Sequence, residues 1–127
     1  ADDFSQVKTR NLEPLGKTQF TKPVALLTND ASFSAADVFA MVMKELPHVR
    51  IIGDHTNGIF SNMFEAKLPN GWRYTFSYQR YYSPKMICFE AKGIPVHEEV
   101  LNTKANLKKG IDPVLQAALA DLTRRTK

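Results

Sequence analysis

The chain reads as an α/β domain, and three observations predict it. Val24-Ala25-Leu26-Leu27 is apolar without alternation, the pattern of a strand covered on both faces. From Ser34 onward, Ala35, Val38, Phe39, Val42, Met43 and Leu46 recur at the spacing of one helical face. Beyond Pro47, Val49-Arg50-Ile51-Ile52-Gly53 reads as a second buried strand. Together they predict a β-turn-α-β unit, a right-handed crossover between parallel strands.

The start of that helix is where chemistry is expected. Thr28, Asn29 and Asp30 end the first strand with turn residues. Ser34 then stands at the N-cap, with Asp37 three residues on as a capping-box variant. A side chain there lies beside unpaired backbone N–H groups and the positive end of the helix dipole. Those donors would stabilise an oxyanion if Ser34 attacked a carbonyl. Serine is also a favoured cap in any helix, so a purely capping Ser34 is the competing reading.

Residues 1–22 show no sustained period, with a turn signal at Leu12 to Gly16, and are expected to form an extended N-terminal arm. The remaining residues, 23–127, form the second unit. Gly53 to Gly58 is a glycine-bracketed turn. Met63–Leu68 and Trp72–Gln79 flank Asn70-Gly71, a hairpin signal. Trp72, Tyr74, Phe76 and Tyr78 alternate with polar residues; core packing is expected of this stripe, with a substrate platform as the alternative. Residues 101–110 read as a polar surface loop. Asp112 and Pro113 supply N-cap and N1 of a closing helix with a stripe of Val114, Leu115, Ala118, Leu119 and Leu122. Its basic end, Thr123 to Lys127, is expected to fray.

Composition narrows the function classes. At 127 residues and 43% hydrophobic content, the chain is one unit able to build a core. No stretch approaches the ~18 to 20 apolar residues of a membrane span, and residues 1–22 carry no basic-then-apolar leader pattern. The net charge of +4 comes from scattered lysines and arginines, without the aromatic interleaving of a nucleic-acid module. A single cysteine, Cys88, excludes an internal disulfide and reads as a small core residue. His48, His55 and His97 are too scattered for a metal motif, and no glycine-rich phosphate loop is present, so neither metal nor cofactor is expected.

S-F-S-A-A-D-V-F (32–39), following P-V-A-L-L-T-N (23–29), resembles the nucleophile segment of the C-terminal-processing, or tail-specific, serine peptidases. That family includes the tricorn core and the interphotoreceptor retinoid-binding proteins. I-I-G-D-H-T-N-G (51–58), L-P-N-G-W-R-Y-T-F-S (68–77), F-E-A-K-G-I-P-V-H-E-E-V (89–100) and G-I-D-P-V-L-Q-A-A-L-A-D-L (110–122) agree with it in order and approximate spacing. The likeness runs from about Pro23 to Leu122.

The resemblance implies a ClpP/crotonase-like β-β-α superhelix, of which this chain is the carboxyl part. It implies a serine endopeptidase acting through an acyl-enzyme on Ser34, with the Ala35 N–H as half of an oxyanion hole. The tail-specific branch carries its lysine base after the glycine of the 53–58 turn, where this chain has Ile59, and isoleucine takes no proton. The tricorn-like branch uses histidine with a glutamate before a glycine, which points to Glu90; the competing reading pairs Glu90 with Lys92 on the surface. His55 and His97 gain no catalytic role. The histidine base and the second oxyanion donor are expected upstream, in an N-terminal part of the same protein, so the isolated 127-residue chain is expected to hydrolyse peptides weakly or not at all. Peptide or protein substrates and an exported or cell-envelope location in a bacterium follow from the same likeness. The alternative is a non-proteolytic ligand- or protein-binding module on this scaffold, with Ser34 only a helix cap.

Overall fold

A computed structural model describes residues 4–127. Residues 4–22 form no helix or strand and are exposed, although Phe4 lies 4.4 Å beneath the guanidinium of Arg80.

The expected β-α-β unit is present: β1 (Val24–Thr28), α1 (Ala35–Met43) and β2 (Val49–Gly53). The two strands pair in parallel from Val24 opposite Val49 to Thr28 opposite Gly53. Gly53 is required there, because with φ 128° a Cβ would collide with the Thr28 carbonyl. The short β5 (Glu98–Glu99) joins the other side of β2 in parallel, which makes β2 the central strand.

Alternate side chains of β2 serve opposite faces, as strand geometry dictates. Ile51 packs with Ala40 and Met41 of α1, with Phe60 and with Ile94. Ile52 packs on the other face with Val114 and Ala118 of the closing helix. Ile51, Ile52 and Ile94 are fully buried, each stabilising the fold by about 1.5–3 kcal/mol. The core is thus two layers of helix around a short parallel sheet.

The helices are rotated relative to the faces the apolar spacing predicts. On α1 the buried residues are Asp37, Ala40 and Met41, whereas Ala35 and Phe39, and Leu46 beyond its end, are exposed. Asp37 can turn inward because it accepts three backbone N–H groups there, which offsets the cost of burying its carboxyl group. The same happens on α3 (Pro113–Arg125), capped by Asp112 with Pro113 following. Val114, Ala118 and Asp121 are buried, while Leu115 and Leu119 face solvent.

Two further expectations are corrected at this end of the chain. Residues 101–110 contain a short helix, α2 (Lys104–Lys108), because the Thr103 side chain accepts the Asn106 N–H at 3.2 Å as an N-cap. The basic terminus does not fray either. Arg125 is bound to Asp121 at 2.7 Å and donates to the His48 and Val24 carbonyls at 3.0 and 2.9 Å, so it ties α3 to the entries of β2 and β1.

The hairpin forms as predicted from β3 (Met63–Lys67) and β4 (Arg73–Ser77), but its aromatic stripe is not core. Trp72 is 73% exposed, and Tyr74, Phe76 and Tyr78 stand between 45% and 52%. The pair forms its own two-stranded sheet, on which Phe64 and Tyr74 pack against Phe76 at 5.2 and 5.8 Å. Cys88 is half-buried.

Candidate active site around Ser34

The chain leaves β1 and turns sharply into α1. Ser34 takes φ 59° and ψ −117°, and the Phe33 carbonyl accepts the Ala36 N–H at 3.1 Å. These are the dihedrals and the closing bond of a type II′ turn with Ser34 at its first central position, a place that favours glycine. A serine held there stores backbone strain, a feature that concentrates at functional sites.

The capping box with Asp37 is present in both directions, but on the hydroxyl side it falls short of a hydrogen bond. The Ser34 N–H donates to Asp37 Oδ2 at 3.0 Å, while the hydroxyl, though near the N-terminal amides of α1, makes no cap hydrogen bond of proper geometry. Ser34 and Ala35 are exposed. Among the described residues the Ala35 N–H donates to no backbone or side-chain acceptor. An exposed hydroxyl that makes no cap hydrogen bond and a free amide therefore stand side by side at the positive end of a helix.

Both open into a cleft of about 270 Å³ whose walls are Val38, Phe60, Tyr81 and Asn62. A larger cleft, of about 480 Å³, lies between Thr28, Asp54 and Asp112 and contains neither Ser34, Ala35 nor Glu90. Its polar lining holds no nucleophile on a strained turn, so the smaller cleft is the better candidate.

The loop 58–60 forms the floor behind Ser34. The Ile59 carbonyl accepts the Ser34 N–H at 3.0 Å. Asp37 accepts from the Gly58 and Ile59 amides, both at 2.9 Å. The next amide, Phe60, donates to Glu90 Oε2 at 3.2 Å. Glu90 is half-buried beside Ala91, which also takes a positive φ of 59°. Ser34 and Glu90 thus flank one three-residue loop, although Glu90 does not itself line the cleft. Among the described residues Glu90 forms no ion pair with Lys92, contrary to the surface-pair reading; its partner is a backbone amide. Gly58 and Gly93 are pressed together, and a Cβ on Gly58 would come within 2.5 Å of the Gly93 nitrogen.

Among the described residues no imidazole or amine lines the cleft. His55 Nδ1 faces the Thr56 carbonyl at 2.7 Å, and that contact, with Asp54 and more distant carboxylates, raises its pKa. His97 Nδ1 accepts the Ile51 N–H at 2.8 Å; burial, then the Lys44, Arg50 and Arg125 charges, lower its pKa. Lys44 donates to the Pro95 carbonyl at 2.6 Å, and burial lowers its pKa. Ile59 occupies the position opposite Ser34 in the backbone bonding and offers no base. Among the described residues no group of three or more His, Cys, Asp and Glu side chains is placed to hold a metal.

Phe60, Asn62 and Tyr81 had no local signal that would have marked them as cleft walls. Asp37 did have one, as the fourth residue of a Ser-x-x-Asp capping pattern. Its second task, gripping the 58–59 amides, depends on a contact across the fold.

A family model described as peptidase family S41 matches residues 2–100. A protein from Chlamydia trachomatis serovar D is 34% identical over 59 residues, which are 46% of this chain and 10% of that protein. Among solved structures, a candidate peptidase from Parabacteroides merdae is 36% identical with a TM-score of 0.80, over 87% of this chain and 35% of that one. The tricorn protease aligns with a TM-score of 0.70 at 21% identity, over 83% of this chain and 11% of that one. That last likeness carries the fold, which is the α/β, ClpP/crotonase-like arrangement. The chain therefore spans a small part of the Chlamydia protein's length and about a third of the Parabacteroides chain.

Proposed function

This chain belongs to peptidase family S41, and we propose that it carries the nucleophile of a serine peptidase working through an acyl-enzyme. One observation carries the reading: Ser34 sits on a strained strand-to-helix turn, its hydroxyl makes no cap hydrogen bond, and the Ala35 N–H is free beside it. The same logic of a sharp turn presenting Oγ operates in other hydrolases.

In this scheme Ser34 Oγ attacks the scissile carbonyl and its proton passes to a base. The Ala35 N–H donates to the oxygen as it gains charge, and the peptide amine leaves with a proton returned by that base. Water then releases the acyl group by the reverse path. Among the described residues no base lines the cleft, and the scheme assigns that role to an imidazole supplied from outside residues 1–127. Glu90 spends Oε2 on the Phe60 amide and keeps Oε1 to orient the imidazole. The substrate is a peptide or protein, and the protein works outside the cytoplasm or in the cell envelope; among the described residues no helix is long and apolar enough to cross a membrane. A binding module in which Ser34 only caps α1 is less well supported, because the hydroxyl makes no cap hydrogen bond.

Peptide hydrolysis by the longest natural form of the protein tests the scheme. Ser34→Ala is expected to reduce turnover by about 10³-fold or more, and Glu90→Gln by about 10²- to 10⁴-fold, as for loss of a triad's orienting carboxylate. Undiminished turnover in Ser34→Ala would overturn it.

A further inference from the structure

We propose that Asp37 is a positioning residue of this site, setting Ser34 relative to the loop that Glu90 holds. The inference rests on the reading of Ser34 as nucleophile. Asp37 is fully buried and does not line the cleft, so it touches neither substrate nor the reacting atoms. Its two oxygens accept three backbone N–H groups from two separate parts of the chain: Ser34 and Ile59 on Oδ2, Gly58 on Oδ1. Among the described residues it forms no ion pair, so these amides and the first turn of α1 are its whole polar environment.

The geometry gives this carboxylate a task beyond capping. A cap satisfies donors of its own helix, whereas the Gly58 and Ile59 amides lie 21 and 22 residues away. Ser34 is tethered twice through one N–H, to Asp37 Oδ2 and to the Ile59 carbonyl, both at 3.0 Å. That double tether orients the peptide plane entering Ser34 and so helps hold the positive φ. On the other side, the three consecutive amides of 58–60 are taken by two carboxylates, Asp37 and then Glu90. Gly58 also accepts the Ala91 N–H through its carbonyl at 2.8 Å. One buried side chain therefore links the turn bearing the nucleophile to the segment bearing Glu90. Removing it frees the Ser34 turn to relax, and a displacement near 1 Å can lower a rate by about 10²-fold.

The test is the rate of fluorophosphonate labelling of the longest natural form, with peptide kcat and KM measured alongside and thermal melting of each variant. Asp37→Asn replaces one acceptor oxygen by a donor that must face an amide N–H. It is expected to lower the labelling rate and kcat by about 10²-fold with KM within about threefold, in protein that still melts cooperatively. Asp37→Glu keeps both oxygens but moves them by one methylene, and is expected to label at least tenfold more slowly than wild type. Val114→Ala, a core truncation on the far face of the sheet, is the control for destabilisation and should label at the wild-type rate. Wild-type labelling rates in both Asp37 variants, or an equal loss in Val114→Ala, would overturn the proposal while leaving Ser34 as nucleophile. Failure of both Asp37 variants to melt cooperatively would assign the residue to folding alone and also overturn it. Absence of labelling in the wild type would overturn the reading of Ser34 itself, and the role of Asp37 with it.

Discussion

Replacing Ser34 by alanine and by glycine separates a strained nucleophile from an ordinary helix cap. An N-cap serine that bonds its helix loses about 1 kcal/mol when changed to alanine. Here the hydroxyl makes no such bond, so Ser34→Ala should change stability by less than about 0.5 kcal/mol, as a surface substitution does. Glycine should do better than either. A non-glycine residue in a sparsely populated region costs about 1–3 kcal/mol, and φ 59° with ψ −117° is such a place. Glycine removes that strain but loses about 0.5–1 kcal/mol of backbone entropy. The net expectation is a gain of about 1 kcal/mol for Ser34→Gly, a rise of roughly 4 °C in melting temperature for a domain of this size. Thermal melts of the three proteins under one condition measure it. A loss near 1 kcal/mol in Ser34→Ala, with Ser34→Gly no more stable than wild type, would refute the argument and return Ser34 to the role of a cap.

Two other predictions concern the frame around the site. Arg125→Ala should destabilise by about 2–3 kcal/mol, below the ~3–5 kcal/mol of a fully broken buried pair, because Arg124 at 2.9 Å still faces the buried Asp121. Arg124→Ala, on a side chain 66% exposed, should stay within about 0.5 kcal/mol in the same chemical denaturation series. His97 should contribute acid lability. Its folded pKa is lowered, so above about pH 6.5 it is neutral folded or unfolded and has no effect. As pH falls below that value the unfolded chain takes up a proton that the folded chain resists, and stability declines until the folded pKa is passed. The His97 ring is only partly withdrawn from water, so solvent screening keeps the slope shallow. His97→Asn retains an acceptor for the Ile51 N–H without titrating; melts between pH 7.5 and 5.5 should show a flatter decline than wild type, and parallel declines would contradict the assignment.

The strands β1 and β2, the hairpin, the capped start of α3 and the serine at the head of α1 were legible in the sequence, because each rests on local chemistry; the two-residue β5 was not, since only its pairing with β2 defines it. The inward faces of the helices were not. A period of apolar residues marks Phe39 and Leu119 as interior, yet Asp37 and Asp121 occupy the interior: Asp37 accepts amides from across the fold, and Asp121 holds Arg125, four residues on, which is itself fixed by the distant His48 and Val24 carbonyls. The aromatic strand was misplaced for a related reason: alternation says that Tyr74 and Phe76 share a face, but not what that face meets. Glu90 was legible only through the likeness to known peptidases, and its bond to the Phe60 amide had no sequence signal.

The central claim, an activated Ser34, is tested most directly by treating the longest natural form with a fluorophosphonate and locating the adduct by mass spectrometry. A single adduct on Ser34 is expected, absent in Ser34→Ala and formed many times more slowly in Glu90→Gln. A folded wild-type protein that takes no label, or takes it equally in Ser34→Ala, would contradict the claim.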